Sequence, residues 1–286
     1  MSGPPNLTDR SALLRYRARA ISQADHAAAL FLHETAVAEV QERLIAVNRT
    51  FTRPAIVTAF GDLWRASWPE ARIVADAETL ALQPARHDLV IHAMALHWAN
   101  DPLGQMVQCR HALVPDGLFL GFCPGGRTLH ELRSCLAEAE IAVTGGLSPR
   151  IVPMAEIRDL GGLLQRAGFA LPVADSFVQT ASYRSARHLM ADLRAMGETN
   201  ALAARLRHPT RRSVFAEMER RYADAHGGRD GRLPATFEIL CLTGWAPHDS
   251  QQQPLRPGSA KQRLAEALNA REQPLVDPPR RVDPAG

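Results

Sequence analysis

Ala55-Ile56-Val57-Thr58-Ala59-Phe60-Gly61-Asp62-Leu63-Trp64 is the stretch on which the reading of the fold turns. Ala55 to Phe60 is a short apolar run with β-branched members, which predicts a buried strand. Gly61 to Trp68 then suits a short helix, closed by Pro69. Moving outward, Arg72-Ile73-Val74-Ala75-Asp76 predicts a second strand ending in an acid, Asp88 to Ala93 a third and Gly117 to Phe122 a fourth. Residues 102–113 between the last two suit a helix stopped by Pro115. Short apolar strands alternating with helical stretches predict an α/β fold, with a mostly parallel sheet covered on both faces.

The flanks extend this frame. Val37, Val40, Leu44 and Val47 recur at helical spacing, so residues 1–50 read as an N-terminal helical region. Residues 51–250 form the α/β domain, with helices over Arg127 to Val143 and over 156–167, where Gly168 suits a C-cap. A helical insertion occupies about 185–230, and Ala235 to Trp245 is a long apolar strand. Residues 251–286, rich in Gln and Pro, read as a partly disordered tail.

A formal net charge of +3 is too mild and too evenly spread to predict a nucleic-acid partner. Lys261 is the sole lysine among 33 cationic residues, so arginine forks are everywhere and no one of them stands out. Cys109, Cys123, Cys135 and Cys241 show neither a C-x-x-C pair nor zinc spacing, and read as reduced, mostly buried thiols. No transmembrane run or signal peptide is evident, which predicts a cytoplasmic protein, at most at the inner face of the membrane. No Walker loop, Gly-x-Ser-x-Gly elbow or nucleophile–histidine pattern occurs, so hydrolase and nucleotide-triphosphatase chemistries lose.

Ala112-Leu113-Val114-Pro115-Asp116-Gly117 before an apolar strand, and Leu163 to Phe169 ending in Ala-Gly-Phe, resemble turns of class I S-adenosylmethionine (SAM)-dependent methyltransferases. A narrower resemblance rests on Leu96-His97-Trp98-Ala99-Asn100-Asp101, Gly125 to Arg133, Gly145 to Arg150, Ala195 to Asn200 and Leu233 to Phe237. In these the chain is similar to the assembly factor 5 branch of respiratory complex I biogenesis, a methyltransferase-like group whose mitochondrial member is an arginine hydroxylase. The resemblance implies a Rossmann-like sheet with residues 235–245 returning antiparallel near its edge. It implies a protein or peptide partner, a complex I subunit, presenting an arginine. An active methyltransferase on another substrate and a non-catalytic scaffold are the alternatives.

SAM binding calls for a glycine-rich turn after the first strand and a carboxylate for the ribose. Here Gly61 stands alone before Trp64, and the acid with its neighbour is Asp76-Ala77. Ala55 to Asp76 is shorter than the roughly 30 residues of one strand–helix–strand unit. Either Asp76 follows a third strand and the second is missing, or it is itself the ribose acid and later elements are shortened. Both leave a cofactor site at Gly61, Asp76 and Ala77 with weak or lost grip.

The candidate active-site residues are His97 and Trp98, just past a parallel strand, and Glu198, an acid for an arginine-bearing partner. Gly125-Gly126, Glu131 and Met196 are the candidate substrate contacts, the glycines through amides at a helix start. His92, His97 and Asp101 have the residue types of an open iron(II) site, but the turn between them sets no convergence, and no metal is assigned.

Overall fold

The continuous apolar runs become the centre of a six-stranded sheet in a computed structural model that describes residues 6–252. The strands are β1 (Pro54–Val57), β2 (Arg72–Val74), β3 (His87–Ala93), β4 (Leu113–Pro124), β5 (Ala170–Tyr183) and β6 (Leu233–Trp245). Their order is β2-β1-β3-β4-β6-β5, and β2-β1-β3-β4 are parallel. As expected, residues 235–245 return antiparallel, one strand in from the edge, between β4 and β5.

Both faces of the central strands are buried, and their period-two alternation assigns each side chain to one of two cores. Ile56, Ile91, Leu120, Phe122 and Ile239 pack on one face with Leu32, Ala36 and Val40 of α3 (Phe31–Val47). Leu132 and Cys135 of α6 (His130–Thr144) and Met218 and Tyr222 of α9 (Arg212–His226) complete that core. Val57, Val90, Phe119 and Leu242 face the other way. There they meet Met106 and Cys109 of α5 (Pro102–Ala112) and Leu160 and Leu164 of α7 (Ile157–Arg166). The helix expected at 102–113 is α5, and Asp101 caps it by accepting from the Gly104 amide at 2.7 Å.

Two features differ from the sequence reading. The strand β5 fills a stretch where none was expected. The insertion at 185–230 holds only two helices, α8 (Ala186–Ala195) and α9, with a loop between them that begins at Gly197 in the left-handed region. The early part of the sheet is short, as the spacing from Ala55 to Asp76 implied: residues 58–71 carry only α4 (Gly61–Ser67), so β2 lies directly beside β1 with no described strand beyond it. The remaining helices, α1 (Arg10–Ile21) and α2 (His26–Ala29), precede the sheet. Among the described residues no helix is long and apolar enough to cross a membrane. Apart from its first two residues, the expected tail 251–286 lies outside the described residues.

Candidate functional site

The chain leaves β3 at Ala93, turns through Met94 with φ at 53°, and enters a 3-10 turn over Leu96–Trp98. This turn presents His97 and Trp98 past the carboxyl end of the strand. The loop after α8 brings Glu198 to meet them. Glu198 Oε2 accepts from Trp98 Nε1 at 2.8 Å and lies 3.0 Å from His97 Nε2. His97 is 3% exposed and Glu198 24% at the side chain, so the carboxylate keeps one open side. Among the described residues its Oε1 receives no hydrogen bond. Burial alone would raise the Glu198 carboxyl, but the charge and hydrogen bond of His97, the charge of Arg17 and the hydrogen bond of Trp98 outweigh it. They hold the group at about 2, ionised at neutral pH.

These three residues line a cavity of about 860 Å³ whose walls are mostly apolar, including Leu32, Met94, Leu132, Met190, Phe215 and Phe237. That is the size of a pocket for a small molecule or a few side chains. Met196 lines it as well, while Gly125, Gly126 and Glu131 do not. Glu131 is buried beneath β6, where Thr236 donates to it from both backbone and hydroxyl, so it ties α6 to the sheet instead of facing a partner. The expected anion cradle at Gly125-Gly126 is filled by the chain's own acids. The Arg127 amide donates to Glu238 Oε2 at 2.9 Å, and a Cβ on Gly125 or Gly126 would meet Glu238 or Glu156.

The cofactor residues also lie elsewhere. No lining residue comes from 34–93, which excludes Gly61, Asp76 and Ala77 from the cavity. Gly61 is needed for packing, since an added Cβ would stand 2.7 Å from Ile73 Cγ2. Asp76 is buried, with both carboxylate oxygens 2.8 Å from Arg17 Nη1 and Oδ2 3.3 Å from Arg10 Nη1. Ala77 is exposed, and its carbonyl accepts from Gln105. His92 does not join the site either: its Nε2 is 2.7 Å from Gln105 Oε1 and the ring is fully buried. No group of three potential ligands among the described residues could hold a metal. All four cysteines are free and buried, and burial raises each thiol, with Cys123 pushed up to about 12, so none supplies a thiolate nucleophile at neutral pH.

His33 is one of the lining residues that the sequence reading missed. It sits on α3 among apolar neighbours, and nothing in its local pattern separates it from a core histidine. Trp64 Nε1 donates to His33 Nδ1 at 3.2 Å, so the neutral ring carries its proton on Nε2. Burial lowers its pKa to about 4, despite the attraction of Glu198. The sign of the resulting pH dependence follows from linkage. The unfolded ring titrates near 6.5, so this contribution is complete above that pH and fades as pH falls toward 4. At 1.36 kcal/mol per unit it amounts to roughly 3 kcal/mol. His87 and His92 are lowered as well and act in the same direction. Thermal denaturation between pH 7 and 4 should therefore show stability falling with acid, and His33→Gln should flatten part of that slope. An unchanged slope in the variant would contradict the assignment.

Comparison with known proteins places the chain. Residues 24–121 match the family model described as "Methyltransferase domain". The chain is 39% identical over 198 residues to "Arginine-hydroxylase NDUFAF5, mitochondrial" of Danio rerio, covering 69% of this chain and 61% of that protein. It is 38% identical over 192 residues to the protein of the same name in Homo sapiens, covering 67% and 55%. With "Malonyl-[acyl-carrier protein] O-methyltransferase" of Laribacter hongkongensis it shares 34% over 177 residues, 62% of this chain and 57% of that protein. The matches thus span less than two thirds of these relatives' own lengths. The chain belongs to the class I methyltransferase-like family, in the branch of the arginine-hydroxylase NDUFAF5 relatives.

Proposed function

We propose that this chain captures an arginine side chain of a protein partner during assembly of respiratory complex I, with Glu198 as the carboxylate that receives the guanidinium. The carrying observation is Glu198 itself, an ionised acid with a free Oε1 in an otherwise apolar cavity. His97 and Trp98 act as positioning residues. Both engage Oε2, which fixes the carboxylate and leaves Oε1 to the incoming group. The apolar walls exclude water from the pair, which strengthens it, and they accept the aliphatic stem of the arginine. Arg194 and Arg212 line the cavity without an acidic partner among the described residues, so a partner segment with an acid beside its arginine complements both ends. The names of the NDUFAF5 relatives support arginine as the target. SAM has little to grip here, because Gly61 packs on Ile73 and Asp76 is held by arginines, and no step of the capture is routed through it.

This capture takes place in the cytoplasm or at the inner face of the membrane. Deleting the gene in its native organism should lower the amount of assembled complex I, as read by native electrophoresis and in-gel activity. Reintroducing the wild-type gene, or one changed at the exposed Arg229, should restore it, whereas Glu198→Gln should not. Normal complex I in the deletion strain rejects the proposal and favours a scaffold or a methyltransferase of another target.

A further inference from the structure

In an open sheet of this kind a nucleotide-like ligand sits beyond the carboxyl ends of the strands, where the strand order reverses. In β2-β1-β3 that place lies over β1 and its neighbours. We infer that helix α1 permanently takes the place of a nucleoside cofactor there, and that the cavity beside β3 and β4 works without one.

Three observations carry this. The first is the ion pair. Arg17 of α1 is 5% exposed at the side chain and reaches both oxygens of Asp76, the acid that follows β2, while Arg10, about two turns earlier on the same helix face, reaches the same carboxylate and the Asp76 carbonyl. A ribose would have to displace two guanidinium groups to reach that acid. The second is the packing behind it. A Cβ added to Gly197 would lie 3.0 Å from Phe60, in the turn between β1 and α4, and 3.1 Å from Arg17 Cγ. The helix, the turn after β1 and the loop carrying Glu198 thus close on one another at van der Waals contact, and the space over Gly61 is taken by Ile73.

The third is the anchoring of the helix. Leu13 is fully buried and packs against Trp98, Ala201 and Leu202. Before the helix, the Asp9 amide donates to the Ala201 carbonyl at 2.8 Å, the Ala203 amide to the Leu7 carbonyl at 2.8 Å, and the Thr8 amide to Asn100 at 2.8 Å. The Asp9 side chain caps α1 and pairs with Arg205 at 3.0 Å. A segment tied at both the 97–100 turn and the 198–205 loop is part of the fold, not a lid lying on it. The same ties connect it to the carboxylate site, since Trp98, against which Leu13 packs, donates to Glu198.

The inference does not depend on what the cavity receives, so it stands or falls separately from arginine capture. The test uses the full chain with S-adenosylhomocysteine as probe, followed by calorimetry, together with hydrogen exchange read by mass spectrometry. The expected result is no saturable binding up to 1 mM. Peptides covering residues 10–21 should exchange as slowly as those from β3 and β4, with or without the probe. Saturable binding below 1 mM overturns the inference. So does rapid exchange of residues 10–21 in the free protein, or faster exchange there when the probe is added, because either shows a helix that leaves its place.

Discussion

Glu198→Gln should weaken binding of an arginine-bearing peptide by about 30-fold or more. Truncating one member of a desolvated charge pair costs about 2–5 kcal/mol of binding, and each 1.4 kcal/mol is a factor of ten. Glutamine keeps the size of the side chain and an acceptor for Trp98 Nε1, so the loop and the cavity should survive the change. The charge that faces the guanidinium is what disappears. Isothermal titration with one peptide, and with the same peptide carrying citrulline for arginine, measures this directly. The wild type should discriminate between the two peptides and the variant should not. Equal affinity of wild type and variant for the arginine peptide would remove Glu198 from the site.

Arg17→Met should have the largest effect on folding. It leaves the Asp76 carboxylate buried with only Arg10 as a partner. Removing one partner of a buried pair typically destabilises by about 3–5 kcal/mol, and Arg10 should keep the loss near the lower end. For a domain of this size each kcal/mol shifts Tm by about 2–4 °C, so a drop of roughly 6–12 °C is expected by calorimetry. Adding Asp76→Asn should return a good part of it, because the two residues act as one unit. A loss below about 1 kcal/mol for the single variant would mean that the pair contributes little and that water reaches Asp76.

The parallel core was legible because strands buried on both faces must be apolar at every position, and β3 is buried throughout. The edge strand β5 was not. Its burial alternates, and Pro172, Asp175, Ser176 and Gln179 interrupt the apolar run, so Ala170 to Tyr183 shows no continuous signal. At the site, His97-Trp98 could be read from its place after a strand. Its meeting with Glu198, 101 residues away, is a product of tertiary folding. Glu131 looked like an equally good acid, yet it lies on the buried face of α6. Arg17 had no distinguishing mark in a chain whose cations are almost all arginine, and only burial separates it from the rest.

The enclosure of Asp76 by α1 has a consequence for genetics. Substitutions around Arg10, Arg17, Gly61 and Asp76 touch no ligand-facing wall, so their effects run through the folded fraction and hence through how much protein survives quality control. They should be temperature-sensitive and should yield to overexpression or to a stabilising second change elsewhere. Substitutions at Glu198 should behave oppositely, with normal abundance at every temperature and a defect that no increase in dosage repairs. Suppressors of the second kind would then arise in the partner protein, where a repositioned charge can restore the fit.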